Sequence, residues 1–360
     1  MTEQNQTSTV ASTPVAQHHS QSHAPSSAPR LLDAVAPGLD TLAHPIDLIA
    51  RPTPVTVVSA LAEKWRLADF RVKREDLTHP WYGGCKVRTL EYILGHAHAQ
   101  GAKGIVTMGP HGSHQAVSLA IFGRLHGFQT RAVLAPRLAT PEIDHNGRML
   151  PLYGMETLRC GSFVAVPLAL IRALLRPLGG GRPYWLPPGS KSPVGILGIV
   201  ESALELAQAV KSGELPMPDD VLVPTGTCAT AAGLLLGFAI AGLKTRVVAV
   251  RIVPKIVTGP RKLRRLAENT LALLRRHGFN GPVNWGEMLW VDDHAGPGYG
   301  RDNAWSEQAG NDVAETGCFP TEPTYTSKAL GLLASGALAG RRVLYWNTYS
   351  AVEPRPDLFA

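Results

Sequence analysis

The sequence predicts an α/β protein whose mainly parallel sheets carry helices on both faces. From about residue 45 onward, short apolar runs alternate with longer amphipathic stretches. This alternation is typical of strand–helix–strand units, whose crossover helices cover both faces of a sheet. The 36 glycines and 29 prolines supply the many turns that it needs. At 360 residues, the chain is long enough to build two lobes around separate cores.

The individual elements follow from apolar runs of strand length and from apolar residues at helical spacing. The predicted strands are, in chain order, Phe70–Lys73, Gly104–Met108, Thr130–Leu134, Glu156–Arg159, Asp220–Pro224, Arg246–Val253 and Val343–Asn347. The predicted helices between them are Leu90–Gln100, Gln115–His126, Val194–Lys211 and Thr230–Ala241. We therefore expect parallel-rich twisted sheets flanked by helices.

Residues 255–276 predict a further amphipathic helix with one apolar and one basic face. The apolar stripe consists of Leu263, Leu266, Leu271 and Leu274. The basic residues are Arg261, Lys262, Arg264, Arg265, Arg275 and Arg276. They could form a nucleic-acid patch, but no aromatic residues interleave with them to stack on bases. We expect a solvated basic face over a buried leucine face, and no nucleic-acid partner.

Residues 1–30 are predicted to form a disordered N-terminal tail. They are rich in Gln, Ser, Thr, His and Pro and contain few large apolar side chains. Such a segment cannot bury enough surface to offset the entropy lost on ordering. Its histidines at positions 18, 19 and 23 have no acidic or cysteine neighbours, so no metal site is expected there.

Composition excludes several classes of protein. The four cysteines Cys85, Cys160, Cys228 and Cys318 lie far apart, which argues against a disulfide framework or a structural zinc site. No uncharged apolar run reaches membrane-spanning length, and the N-terminus lacks the pattern of a secretory signal. We expect a cytoplasmic protein with reduced thiols and no membrane partner. The net charge of +7 suits an anionic ligand without identifying one.

A lysine behind two glycines is the strongest chemical signal. Lys86 follows Gly83 and Gly84 at the predicted start of a helix. A lysine in this position can have its amine desolvated and aimed by the backbone, as Schiff-base chemistry requires. The glycines allow a tight turn and leave room for a flat ligand close to the main chain. A solvated helix lysine is the alternative when this motif is taken alone.

The segment Gly226–Thr230 predicts a cradle for a phosphate group. It leaves an apolar strand and enters an Ala- and Leu-rich helix, where successive backbone N–H groups and threonine hydroxyls can face an anion. It lacks the Walker lysine and the spacing of a dinucleotide-binding loop. A plain strand-to-helix turn is the alternative.

Two further polar clusters also lie where strands end. Ser113, His114 and Gln115 begin a predicted helix, where backbone N–H groups and hydroxyls can hold a carboxylate. A simple capping turn by Ser113 explains that segment equally well. The second cluster combines Tyr325 and Thr326 with Thr348, which follows the last predicted strand. The carboxyl ends of strands are where open α/β sheets bind ligands.

Together, these motifs resemble the pyridoxal-phosphate enzymes that include D-cysteine desulfhydrase and 1-aminocyclopropane-1-carboxylate (ACC) deaminase. The matching segments, between about Arg51 and Ser350, are Lys73–Thr78, Gly83–Tyr92, Pro188–Gly195, Gly226–Thr230, Gly298–Gly300 and Tyr325–Lys328. The resemblance implies a two-lobed fold type II structure like that of tryptophan synthase β, with pyridoxal 5′-phosphate as cofactor. It also suggests a homodimer. We expect residues 45–89 and 200–350 to form the larger lobe and residues 90–199 the smaller one.

The resemblance also implies roles for individual residues. Lys86, Ser113, Tyr299 and Tyr325 are expected to act in catalysis, with Lys86 joined to the cofactor and moving the substrate's α-proton. The cofactor phosphate would be held by Gly226, Thr227, Cys228, Ala229 and Thr230. Ser113, His114 and Gln115 would grip the substrate carboxylate, with His114 against the pyridine ring. Thr348 or Thr326 would face the ring nitrogen.

A threonine hydroxyl at the ring nitrogen predicts the type of reaction. Unlike an aspartate, it cannot hold that nitrogen firmly protonated, which favours early loss of a β-leaving group. We therefore expect D-cysteine desulfhydrase-like β-elimination from a small amino acid, giving a 2-oxo acid, ammonia and the leaving group. ACC deaminase-like ring opening, β-replacement and racemisation remain alternatives. So does a catalytically silent or regulatory protein that binds the cofactor.

The chain departs from the family pattern at three places. Cys85 stands where the family usually has Asn. An alignment without a gap puts His114 where the family's Asn contacts the ring, whereas a one-residue shift puts Ser113 there. The family's final His-Thr-Gly-Gly has become Asn347–Ser350. The larger side chains in this last segment must narrow or reshape the substrate pocket.

Overall fold

The structure is a computed structural model that describes residues 29–137, 140–293 and 303–359. Its strands are β1 (Val55–Val57), β2 (Asp69–Lys73), β3 (Gly104–Pro110), β4 (Gln129–Ala135), β5 (Glu156–Arg159), β6 (Tyr184–Leu186), β7 (Asp220–Thr225), β8 (Arg246–Arg251), β9 (Met288–Val291) and β10 (Arg342–Trp346). They form a six-stranded sheet in the order β1-β2-β10-β7-β8-β9 and a four-stranded sheet in the order β5-β4-β3-β6. All paired strands run parallel except β1 and β2.

The α-helices lie between these strands along the chain and pack against the sheets. They are α1 (Leu31–Val35), α2 (Ser59–Lys64), α3 (Cys85–Ala99), α4 (His114–Leu125), α5 (Pro141–Leu152), α6 (Val166–Leu175), α7 (Leu197–Lys211), α8 (Ala229–Ala241), α9 (Pro260–Arg276), α10 (Ala304–Thr316) and α11 (Thr326–Ala334). No helix within the described ranges is long and apolar enough to cross a membrane. The parallel-rich α/β architecture predicted from the sequence is confirmed.

Helix α8 is the buried centre of the larger sheet's outer layer. It is apolar on every side because α7, α9 and the sheet enclose it. Two glycines allow the backbones of α7 and α8 to approach closely. A Cβ atom at Gly237 would lie 2.4 Å from the Cβ of Ala203, and one at Gly233 would lie 2.6 Å from the Cβ of Ile199. This packing fixes the start of α8 at the end of β7.

A buried ionic cluster anchors α3 to the rest of the molecule. The guanidinium of Arg88 has no solvent exposure and pairs with Glu75 at 2.8 Å and with Glu205 of α7 at 2.6 Å. Thr53 accepts a further hydrogen bond from Arg88 at 3.2 Å. Burial by itself would raise the pKa of Glu75, but the charge of Arg88 holds that pKa below its usual value. The cluster therefore orients the helix turn that carries Lys86.

The sequence predicted most of the strands and five of the helices, but not the helices α5, α6 and α10. All the predicted strands and helices are present, with ends that move by a few residues. β1, β6 and β9, which have three or four residues each, were not predicted. The leucine face of α9 is buried as predicted. All four strands of the smaller sheet fall within residues 90–199, but the predicted boundary at 89/90 lies inside α3. The limits of the lobes therefore stay a prediction.

Candidate active site

One cleft collects loops that follow strands of both sheets. The predicted site residues that line it are Lys86, Ser113, His114, Gln115, Gly226, Thr227, Cys228, Ala229, Thr230, Tyr325, Thr326 and Thr348. They come from segments far apart in sequence, which meet because parallel strands bring their carboxyl ends to one edge. Tyr299 lies outside the described residues. Within the described chain, no group of three His, Cys, Asp or Glu side chains is arranged to hold a metal ion.

Lys86 lies in the first turn of α3 and faces this cleft. Gly84 precedes the helix with a φ of 92°, and a Cβ atom there would lie 2.7 Å from the carbonyl oxygen of Thr348. Only glycine combines this backbone conformation with so close an approach. The Lys86 amine donates a hydrogen bond to the carbonyl of Gly189 at 3.4 Å. Burial lowers the pKa of Lys86, which favours the uncharged amine that attacks carbonyl groups.

The loop after β7 exposes a row of backbone N–H groups at the start of α8. Cys228 adopts a left-handed conformation with a φ of 74°, which turns the chain into the helix. Its thiol lies 2.7 Å from the hydroxyl of Thr258, and this contact between distant segments holds the strained residue in place. Within the described chain, the first N–H of this turn with a backbone acceptor belongs to Ala232, which bonds to the carbonyl of Cys228 at 2.9 Å. The preceding N–H groups can therefore face an anion.

A second helix start closes the other side of the cleft. Ser113 caps α4, and its hydroxyl accepts the N–H of Ala116 at 3.5 Å. The side-chain amide of Gln115 donates to the hydroxyl of Thr107 at 2.7 Å and to the carbonyl of Pro187 at 3.0 Å. Gln115 therefore offers the cleft its backbone N–H rather than its amide. That this segment holds a carboxylate stays a prediction. Because the Gln115 amide is occupied, the groups expected to do so are the backbone N–H groups and the Ser113 hydroxyl.

The two candidate threonines for the ring nitrogen differ in their surroundings. Thr326 is fully buried, and its hydroxyl accepts the N–H of Glu322 at 2.6 Å and donates to the carbonyl of Glu322 at 2.9 Å. Thr348 is half-buried and lines the cleft, and its hydroxyl makes no hydrogen bond with any residue that the structure describes. Thr348 is therefore the better candidate to face a ligand.

Glu322 places a carboxylate among the described residues that line the cleft. Its oxygen atoms accept the backbone N–H groups of Thr324, Tyr325 and Thr326 at 2.8, 2.7 and 2.8 Å. Burial raises the pKa of Glu322. This carboxylate is a cap for the first turn of α11, so it is committed to its own loop rather than to a ligand.

His114 belongs to a hydrogen-bond network that the sequence did not reveal. Its Nδ1 lies 2.5 Å from the hydroxyl of Tyr82, and its Nε2 lies 3.2 Å from Oε1 of Glu142. The hydroxyl of Tyr349 donates to the same Glu142 oxygen at 3.1 Å. The hydrogen bond from His114, outweighing the burial, holds the pKa of Glu142 below its usual value. Tyr82 and Glu142 were not predicted, because neither belongs to a sequence motif that indicates a binding or catalytic site.

The comparison with protein families identifies the ligand that such a cleft holds. The model of the family described as "Pyridoxal-phosphate dependent enzyme" matches residues 46–348. The chain belongs to this family. The described residues also fit the cofactor: a desolvated lysine amine, an open N–H cradle and glycines that leave room beside the backbone share one cleft.

Several relatives of this pyridoxal-phosphate enzyme are similar over nearly their whole length. Nocardicin C-9′ epimerase from Nocardia uniformis subsp. tsuyamanensis is 31% identical over 316 residues, covering 86% of this chain and 93% of the relative. D-cysteine desulfhydrase from Klebsiella pneumoniae subsp. pneumoniae is 28% identical over 333 residues, covering 88% and 95%. A solved structure of an ACC deaminase homologue superposes with a TM-score of 0.74 at 27% identity, covering 89% of this chain and 95% of that one. The fold type II resemblance is thus confirmed.

Proposed function

We propose that this pyridoxal-phosphate enzyme removes the α-proton of a small amino acid and expels a β-substituent. The products would be a 2-oxo acid, ammonia and the leaving group, as in a D-cysteine desulfhydrase. The observation that carries the proposal is the arrangement of the cleft. The amine of Lys86 lies near two helix starts, while the carboxylate of Glu322 is bound within its own loop.

The bound cofactor supplies the electron-withdrawing group that makes an α-proton acidic enough to remove. Lys86 would hold the cofactor covalently and then take the α-proton, because its burial favours the neutral amine. Residues Gly226–Thr230 would hold the phosphate through the N–H groups at the start of α8. The contact of Lys86 with the carbonyl of Gly189 at 3.4 Å keeps the amine inside the cleft.

The start of α4 would orient the substrate by its carboxylate. The first N–H groups of a helix and its dipole favour a negative charge, and Ser113 adds a hydroxyl to the same point. Holding the carboxylate fixes which bonds of the α-carbon point toward Lys86. Tyr325, which packs over Gly226 with a ring carbon 3.2 Å from the position of a Cβ there, would limit the size of the substrate.

Thr348 would set the direction of the reaction. A hydroxyl in this position donates or accepts a weak hydrogen bond but cannot supply the negative charge that keeps a ring nitrogen protonated. Thr348 would therefore favour early loss of a β-substituent that can leave. This reasoning favours elimination over transamination.

Epimerisation is the second candidate. It begins with the same removal of the α-proton by Lys86 and needs only that a proton return to the other face of the carbon. The similarity to nocardicin C-9′ epimerase supports it. The cytoplasmic location and the homodimer remain predictions.

A substrate panel distinguishes these reactions. The purified enzyme, loaded with pyridoxal phosphate, is incubated with the D- and L-forms of cysteine, serine and alanine, and 2-oxo acid, ammonia, sulfide and enantiomeric composition are measured. Elimination predicts 2-oxo acid and ammonia in equal amounts from one enantiomer of an amino acid with a β-leaving group. Inversion without ammonia would favour epimerisation, and no change in any member of the panel would contradict the proposal.

A further inference from the structure

A chain of hydrogen bonds lies beside the cleft, apart from the residues that carry the proposed function. It links Tyr82, which precedes the glycine pair, to His114 at the start of α4 and to Glu142 in the first turn of α5. These segments are far apart in sequence. Tyr82 and His114 line the same cleft as Lys86.

The contacts of the imidazole define how protons are arranged along the chain. Because Nε2 faces the Glu142 carboxylate, that nitrogen carries a proton and donates it. Nδ1 then accepts the hydroxyl proton of Tyr82 when the ring is neutral. When the ring is doubly protonated, Nδ1 donates to the Tyr82 oxygen, and the hydroxyl proton is released to point elsewhere. The carboxylate of Glu142 accepts the Nε2 proton in both states of the ring.

The network differs from Lys86 in both location and partners. The Lys86 amine contacts the carbonyl of Gly189, which also accepts the hydroxyl of Thr227 at 3.4 Å. The imidazole contacts Tyr82, Glu142 and the edge of the Tyr349 ring. The amine and the imidazole thus line one cleft without sharing a hydrogen-bond partner.

We propose that Tyr82, His114 and Glu142 form a proton relay, separate from Lys86, that delivers a proton to the substrate's α-carbon. Tyr82 is the donor that touches the substrate, and His114 and Glu142 are positioning residues that recharge it. The proposal rests on the α-proton chemistry proposed for Lys86 and deepens the epimerisation candidate. A second proton route is what inversion at the α-carbon requires.

The proton balance of the step closes. The α-C–H bond breaks as the amine of Lys86 takes the proton, and the electron pair stays with the carbon and the bound cofactor. A new C–H bond forms when the hydroxyl proton of Tyr82 moves to the carbon, while the Tyr82 oxygen takes the Nδ1 proton of His114. The imidazolium becomes a neutral imidazole that keeps its Nε2–H on Glu142. Water in the cleft then removes the extra proton from Lys86 and returns one to His114.

Three further groups face the relay from other elements. Tyr349, which follows β10, is an uncharged phenol that donates to Glu142. Glu322, which precedes α11, adds negative charge, and Arg137, which follows β4, lowers the pKa of Glu142 further. The side chains of His114 and Glu142 are 30% and 36% exposed. This exposure leaves a path by which solvent protons reach the relay.

The hydrogen bonds can be tested without turnover. The cofactor-free protein is labelled with ¹⁵N-histidine, and the side-chain nitrogens of His114 are assigned by their loss in His114→Asn. We expect one protonated and one unprotonated nitrogen in the neutral ring, with a clear shift of these resonances in Tyr82→Phe and in Glu142→Gln. Tyr153→Phe removes another buried hydroxyl, bonded to the carbonyl of Arg355, and should leave them unchanged. Resonances identical in wild type, Tyr82→Phe and Glu142→Gln would overturn the relay.

Proton delivery is tested with D- and L-alanine, D- and L-serine and D- and L-cysteine in D₂O. Proton NMR follows α-deuteration, and chiral chromatography follows inversion. We expect Tyr82→Phe and His114→Asn to lower deuterium incorporation with inversion on the order of 10²-fold, while incorporation with retention, which needs only Lys86, persists. Equal inversion in wild type and Tyr82→Phe, or no inversion in the wild type, would refute the relay alone. A wild-type enzyme that exchanges no α-hydrogen at all would refute the proposed function as well.

Discussion

Replacing Arg88 by Met should destabilise the protein strongly. The change keeps an unbranched side chain of similar length but removes a guanidinium that makes five hydrogen bonds, to Glu75, Glu205 and Thr53. Glu75 is fully buried and Glu205 nearly so, and both carboxylates lose the guanidinium that pairs with them. Lys73 remains near Glu75, but burial lowers the pKa of its amine and so disfavours its charge. Removing one partner of a buried ion pair costs about 3–5 kcal/mol. That is a large fraction of the roughly 5–15 kcal/mol by which a folded domain is stable.

The measurement is urea denaturation of wild type and variant at pH 7, followed by circular dichroism. The matched control is Arg264→Met, which breaks an exposed pair with Glu268 at 2.9 Å and should cost less than about 1 kcal/mol. Adding Glu75→Gln and Glu205→Gln to Arg88→Met removes the uncompensated charges, so part of the lost stability should return. A loss for Arg88→Met no larger than that of the control would refute the reasoning about this cluster.

Three further predictions concern single positions. Gly84→Ala should lower the free energy of unfolding and the cofactor affinity, because the new Cβ would lie 2.7 Å from a carbonyl oxygen. Gly101 also has a positive φ but open space around it, so Gly101→Ala should cost only about 1 kcal/mol of stability. Denaturation and cofactor titration of both variants test this. Burial raises the pKa of Glu201 to about 7, so its contribution to stability is full below about pH 4.5 and is lost as the pH rises to 7. The free energy of unfolding of wild type minus that of Glu201→Gln should therefore fall by about 3 kcal/mol between pH 4.5 and pH 8, and a pH-independent difference would contradict this. Thr348→Val should alter turnover with little loss of stability, whereas Thr326→Val should cost about 1–3 kcal/mol in denaturation, and the reverse pattern would exchange their assignments.

Local sequence signals predicted the fold and the part of the cleft formed by Lys86 and Gly226–Thr230. Lys86 and Gly226–Thr230 were found because glycine, lysine and hydroxyl residues at helix starts have a direct chemical meaning. The parallel sheets were found because buried strands read as apolar runs. Each of these signals is carried by residues close together in the chain, so no three-dimensional information was needed to see it.

The network around His114 could not be predicted in this way. Glu142 reaches His114 only because α5 packs beside α4, and Tyr82 reaches it only because α3 begins at the same edge. Nothing in the sequence marks these packing distances. The hydroxyl of Thr326 is a similar case, since only the structure shows that Glu322 occupies it.

The covalent attachment of the cofactor to Lys86 is the central claim, and borohydride reduction tests it most directly. The protein loaded with pyridoxal phosphate is reduced, digested and analysed by mass spectrometry. The account predicts that the reduced cofactor is found on the peptide that contains Lys86, and that Lys86→Ala carries none. Finding the cofactor on another lysine, with the Lys86 peptide unmodified, would contradict the account.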